Sequence, residues 1–178
     1  MKRILSDRAF ARVAGAELVT GNVVRLLRDA SDNYGAWLAA IAAAEHTIHF
    51  ESYLIHGDAQ GERFAVALCE QARRGVRVRV LYDWLGAVKS TPRRFWRRLV
   101  DSGVEVRAFN PPELSSPFGW ICRDHRKALV VDGLVAYVSG LCVGDMWVGD
   151  PARGIDPWRD TGVEIRGPSV AEVDRAYR

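Results

Sequence analysis

His125 and Lys127 stand two residues apart in the run Asp124-His125-Arg126-Lys127-Ala128-Leu129-Val130-Val131-Asp132. The apolar residues after them predict a strand, whose period of two sends both side chains to one face, toward one bound group. An imidazole beside an ammonium suits phosphodiester chemistry. The ring is a nucleophile that is neutral near pH 7, and the cation offsets charge on the phosphoryl oxygens. The pair supplies both without help, so neither a metal nor an organic cofactor is expected. Average residue usage produces H-x-K-x-x-x-x-D by chance in roughly one chain of this length in a hundred, so the surroundings must carry the reading. Asp132 and Gly133 form a dipeptide that marks a tight hairpin, pairing Lys127 to Val131 with Leu134 to Val138. Asp132 is therefore expected to set the turn, and belongs to the scaffold more than to the substrate site.

The elements that must hold this pair read as strand, helix, strand. Asn22 to Leu27 suggests a short strand, and Ser31-Asp32-Asn33 offers capping oxygens for a helix through Trp37, Leu38, Ile41 and Ala44. Thr47 to Ile55 is β-branched and aromatic, and Phe64, Ala65, Leu68, Cys69 and Ala72 then recur at helical spacing up to Gly75. Val76 to Tyr82 alternates before turning apolar, as a strand does on entering a core. Thr91-Pro92 opens a helix with Phe95, Trp96, Leu99 and Val100 on one face and Arg93, Arg94, Arg97 and Arg98 on the other, ended by Gly103. A strand over Val104 to Phe109, a Pro- and Ser-rich stretch from Asn110 to Pro117 and a long loop from Gly144 to Asp160 follow. Gly162 to Arg166 is the last strand, leading into a helix that reaches Arg178 after barely two turns. The predicted class is α/β, a mixed and largely parallel sheet with helices on both faces. Residues 1–20 read as a polar extension and 21–178 as one lobe, cut inside its last helix.

Composition narrows the partners. The 178 residues are 48% hydrophobic, enough for one well-filled core, and the net charge of +3 favours anionic partners without choosing among them. Cys69, Cys122 and Cys142 are too scattered for a disulfide framework or a thiolate zinc site, and a reducing compartment fits them. His46, His49 and His56 share no metal-ligand spacing with carboxylates. No apolar run suits a secretory signal or a membrane span, so the expected location is cytoplasmic, with peripheral contact at the inner face of a membrane. Glu51, charged within an apolar strand, calls for a buried partner, an arginine or the site itself. The arginine face at 93–98 is most often a solvated helix face, though it could dock lipid headgroups or a nucleic-acid backbone.

Four islands in one order then resemble the phospholipase D superfamily, closest to the N-terminal lobe of bacterial cardiolipin synthase-like proteins. They are His46-Thr47-Ile48-His49-Phe50-Glu51-Ser52-Tyr53, Gly75 to Asp83, Arg123 to Lys127, and Trp158-Arg159-Asp160-Thr161. The resemblance implies that His125 attacks phosphorus to give a phosphohistidine, that Lys127 holds the phosphate oxygens, and that Asp160 hydrogen-bonds the histidine and fixes its tautomer. It also implies a phospholipid substrate, and two motifs per active site, one histidine attacking and the other protonating the leaving group. This chain carries one, so the second lobe must come from a longer chain or from a symmetric copy, as in the family's small single-motif nucleases. Ser139, Gly140 and Cys142 stand where the family often carries Gly-Ser-x-Asn or Gly-Gly-x-Asn. Cys142 thus replaces an amide that usually contacts phosphate, and nothing in the sequence marks it as a thiolate. A homodimeric nuclease and a catalytically silent interaction lobe are the alternatives.

Overall fold

The computed structural model describes residues 2–113 and 121–177. Residues 114–120, within and just beyond the Pro- and Ser-rich stretch, and Arg178 lie outside the described residues. The N-terminal extension contains helix α1 (Lys2–Ala14). The lobe follows with β1 (Val23–Arg28), α2 (Asp29–Ala42), β2 (Thr47–Ser52), α3 (Ala59–Arg73), β3 (Arg77–Asp83), the single turn α4 (Trp84–Ala87), α5 (Arg93–Asp101) and β4 (Glu105–Phe109). It continues through β5 (Ala128–Val131), β6 (Val135–Ser139), the turn α6 (Asp145–Val148), β7 (Thr161–Arg166) and α7 (Val170–Tyr177).

One seven-stranded sheet runs β1-β7-β6-β5-β2-β3-β4. It is mixed, but less parallel than the alternation of elements suggests. Only β2, β3 and β4 pair in parallel, where helices supply the crossovers. The pairings β1 with β7, β7 with β6, β6 with β5 and β5 with β2 are antiparallel. The hairpin is the reason, because Asp132 and Gly133 both adopt positive φ, 54° and 65°, and reverse the chain in two residues.

Period-two alternation divides the side chains between two cores. Ile48, Phe50, Leu129, Val131, Val135 and Tyr137 enter the larger core with Trp37 and Ile41 of α2 and Phe64 and Leu68 of α3. Val130 and Ala136 face the other way and pack with Val170 and Val173 of α7 and Ile165 of β7. Helices therefore cover both faces. α3 is capped by Asp58, whose carboxylate accepts the Gly61 N–H at 3.1 Å. The caps expected for α2 are displaced: the helix starts at Asp29, and Asn33 turns inward to donate to Leu27 O and Asp29 O.

Asp132 does more than turn the chain. Its carboxylate accepts the N–H groups of Glu45, His46 and Thr47 at 2.9, 2.8 and 2.6 Å, fixing the start of β2 against the hairpin. Burial pushes this carboxyl up in pKa, but the three amides pull harder and hold it below the usual carboxylate range.

Candidate active site

The site lies at the end of the sheet where β2 and β3 finish and β5 begins. His125 is exposed and Lys127 is buried, both just ahead of β5. The Lys127 ammonium lies 2.8 Å from Nδ1 of His125 and 3.3 Å from Nε2, and donates to the His125 carbonyl at 2.6 Å. Burial lowers the Lys127 pKa, while Asp160 and Asp124 act in the opposite direction. Tyr53, just past β2, forms the floor. Its ring centroid is 4.6 Å from that of His125 and 5.4 Å from the Lys127 ammonium.

Arg123 ties this floor to the sheet. Its guanidinium donates to both carboxylate oxygens of Asp83, at 2.7 to 3.2 Å, and to Tyr53 Oη at 2.7 Å. Asp83 ends β3 and is 1% exposed. Burial raises its pKa, but Arg123 and the N–H groups of Gly86 and Asp124 outweigh that and leave it below its usual value. The segment carrying His125 is thus anchored two residues upstream by an ion pair between the half-buried Arg123 and the buried Asp83. Sequence reasoning placed Asp83, Arg123 and Tyr53 inside the family-like islands without giving them roles. An aspartate closing an apolar strand was the available signal.

Glu51 has the arginine partner its position demanded. The Arg126 guanidinium lies 2.7 Å from Glu51 Oε1 and 3.3 Å from Asp124 Oδ1. Burial, followed by the neighbouring Asp124 carboxyl, raises the Glu51 pKa to about 7, against the pull of Arg126. Glu51 also lines a pocket of about 430 Å³ together with His125, Lys127, Ala128, Val138 and Ser139.

Asp160 is brought near Lys127 but makes no hydrogen bond to His125 among the described residues. Its Oδ1 accepts the Thr161 N–H at 2.6 Å, and its own N–H donates to Asp29 Oδ1 at 2.8 Å. Asp29, in the left-handed region at φ 52°, returns its N–H to the Asp160 carbonyl at 3.0 Å. A Cβ on Gly140 would sit 2.6 Å from both Asp160 carboxylate oxygens, so only glycine leaves the carboxylate this place.

The three residues considered for phosphate differ. Ser139 lines the pocket, and its Oγ accepts the Leu141 N–H at 3.2 Å. Gly140 makes room for Asp160. Cys142 is 3% exposed, and burial raises its thiol pKa although Leu54, Lys127 and Ser52 act in the opposite direction. Asp132 stands at the opposite end of β5 from His125, bound to backbone amides. No group of three or more His, Cys, Asp or Glu that could hold a metal ion occurs among the described residues.

Comparison with known proteins agrees with the resemblance. The family model described as "Cardiolipin synthase, PLD-like domain" matches residues 37–143. The chain is 35% identical over 176 residues to cardiolipin synthase A of Pseudomonas syringae pv. syringae, covering 96% of this chain and 35% of that protein. It is 38% identical over 156 residues to cardiolipin synthase of Alkalihalophilus pseudofirmus, covering 86% of this chain and 30% of that one. The chain therefore spans about a third of the length of these curated relatives. In fold it is similar to Nuc from Salmonella typhimurium, a phospholipase D family member, with TM-score 0.63, 17% identity, and coverage of 88% of this chain and 92% of that one. The lobe belongs to the cardiolipin synthase, PLD-like domain family of the phospholipase D superfamily.

Proposed function

We propose that this lobe is one half of an active site that transfers or hydrolyses phosphodiesters of glycerophospholipids, cardiolipin synthesis being the leading reaction. The observation that carries this reading is the buried Lys127 ammonium at 2.8 Å from the His125 ring, beside a pocket of about 430 Å³. A phosphate arriving there replaces the imidazole as acceptor of the ammonium and frees the ring to attack. A bond forms between the ring nitrogen and phosphorus as the ester P–O bond breaks, and the leaving alkoxide takes a proton from a second histidine. Water or an acceptor alcohol then attacks phosphorus, its proton returns to that histidine, and His125 is released.

A row of residues aligned across five strands supports a second lobe. Leu26, Val163, Val138 and Ala128 are register partners in turn, and the row ends at Glu51 beside the site. Leu26 is 73% and Val138 39% exposed, an apolar strip for another surface to cover.

The test is trapping of an acid-labile, base-stable phosphoenzyme from radiolabelled phosphatidylglycerol, beside His125→Asn. The expected result is label on the parent protein and none on the variant. Equal labelling of both would remove the phosphohistidine, and no turnover of phosphatidylglycerol once a second lobe is supplied would sink the lipid reading.

A further inference from the structure

We propose that the exposed face of α5, with the adjoining Lys89, docks the lobe on an anionic phospholipid surface; this rests on the lipid reading above and extends it from the substrate to the surface that presents it. α5 is pinned by its apolar side. Phe95 and Leu99 are buried in the larger core, and Trp96 stacks on Tyr82 with ring centroids 3.9 Å apart. That leaves Arg93, Arg94 and Arg97 exposed within an arc of about 100° of a rigid helix.

These cations differ from most other arginines of the lobe. Arg25, Arg28, Arg79, Arg98, Arg123, Arg126, Arg159 and Arg166 each have a carboxylate within 3.3 Å, including Arg98 on α5 itself, held 2.6 Å from Glu62. Among the described residues, Arg93, Arg94, Arg97 and Lys89 have none within 4.0 Å. The only acid of α5, Asp101, is its last residue. Four unneutralised cations on one fixed surface are complementary to a layer of phosphodiesters.

Location favours a lipid layer as the partner. The start of α5 is fastened to the site end of the sheet: Gly57 N–H donates to Ser90 O at 3.1 Å, and the Thr91 hydroxyl donates to Ile55 O. Ile55 lies two residues past Tyr53, the floor of the His125 site. Val88, beside Lys89, is 46% exposed and gives the same edge an apolar contact. A surface held there brings headgroups to the site. The arginines at Arg74 and Arg77 lie at the other end of β3, a full strand length away.

Co-sedimentation tests this, using the purified protein and vesicles of phosphatidylcholine alone or mixed with phosphatidylglycerol. The parent should bind the mixed vesicles, in a salt-sensitive way, more tightly than the neutral ones. Each basic residue at such a surface is worth about a fivefold change in affinity, so Arg93→Gln/Arg94→Gln/Arg97→Gln should weaken binding roughly 100-fold. Arg74→Gln/Arg77→Gln is the charge control and should bind like the parent. Thermal midpoints establish that each variant is folded. His125→Asn should bind like the parent, which separates docking from catalysis. Undiminished vesicle binding by the triple variant, or an equal loss in the charge control, would overturn the proposal. So would binding of duplex DNA, lost in the triple variant, by a protein that ignores both kinds of vesicle.

Discussion

The Arg126 guanidinium lies against two buried carboxyls, 2.7 Å from Glu51 Oε1 and 3.3 Å from Asp124 Oδ1. Burial, with the neighbouring Asp124 carboxyl acting in the same direction, raises Glu51 to about 7 despite the arginine. A carboxyl whose folded pKa lies above its unfolded value stabilises the fold fully below the unfolded value, and the contribution is lost as pH rises through about 7. Thermal midpoints should therefore fall between pH 5 and pH 8. Glu51→Gln, which keeps the shape and does not titrate, should flatten that fall, and an identical slope in the variant would count against the raised Glu51 pKa.

Asp132 should matter for folding far more than for turnover. Asp132→Ala removes a charged acceptor from three amides and should cost about 3 kcal/mol, by urea unfolding, with activity per folded molecule little changed. Its depressed pKa adds stability that is present above the unfolded value and lost as pH falls through the folded one. The parent's advantage over Asp132→Asn should accordingly shrink in acid.

Gly140→Ala tests whether the place of Asp160 counts. The new methyl meets the carboxylate at 2.6 Å and must displace it, at a stability cost of about 1 to 3 kcal/mol. A kcat at least tenfold lower at unchanged KM would assign Asp160 a part in turnover. Parent kinetics in the folded variant would leave it a structural residue.

The thiols should separate by access. Cys122 is exposed, whereas Cys142 is buried with its pKa raised. Iodoacetamide at pH 7 followed by peptide mass spectrometry should find Cys122 modified first and Cys142 modified only after denaturation. Early labelling of Cys142 would show that its burial is not maintained in solution.

Local order was readable where neighbours in sequence are neighbours in space. Phe64, Ala65 and Leu68 fall on the buried face of α3 as their spacing predicts, and Asp132-Gly133 makes its hairpin. Long-range pairing was not. Nothing near Val23 announces that β1 will pair with β7 instead of β2, and the helical crossovers of the first half led to too large a parallel share. The site divides in the same way. His125 and Lys127 meet because a two-residue spacing suffices. The clamp of Asp83 on Arg123, 40 residues apart, and the exchange of bonds between Asp29 and Asp160, 131 apart, depend on a finished sheet.

Arg126 lies between His125 and Lys127 in sequence, yet its Nη1 donates to the Ala176 carbonyl of α7 at 2.8 Å. On the same helix, Asp174 meets His49 at 2.5 Å and Tyr177 stacks on that ring. The helix and the segment that carries His125 are thus joined through the Arg126 side chain. By reciprocity, a ligand at His125 whose affinity depends on the position of α7 biases that helix by the same coupling energy.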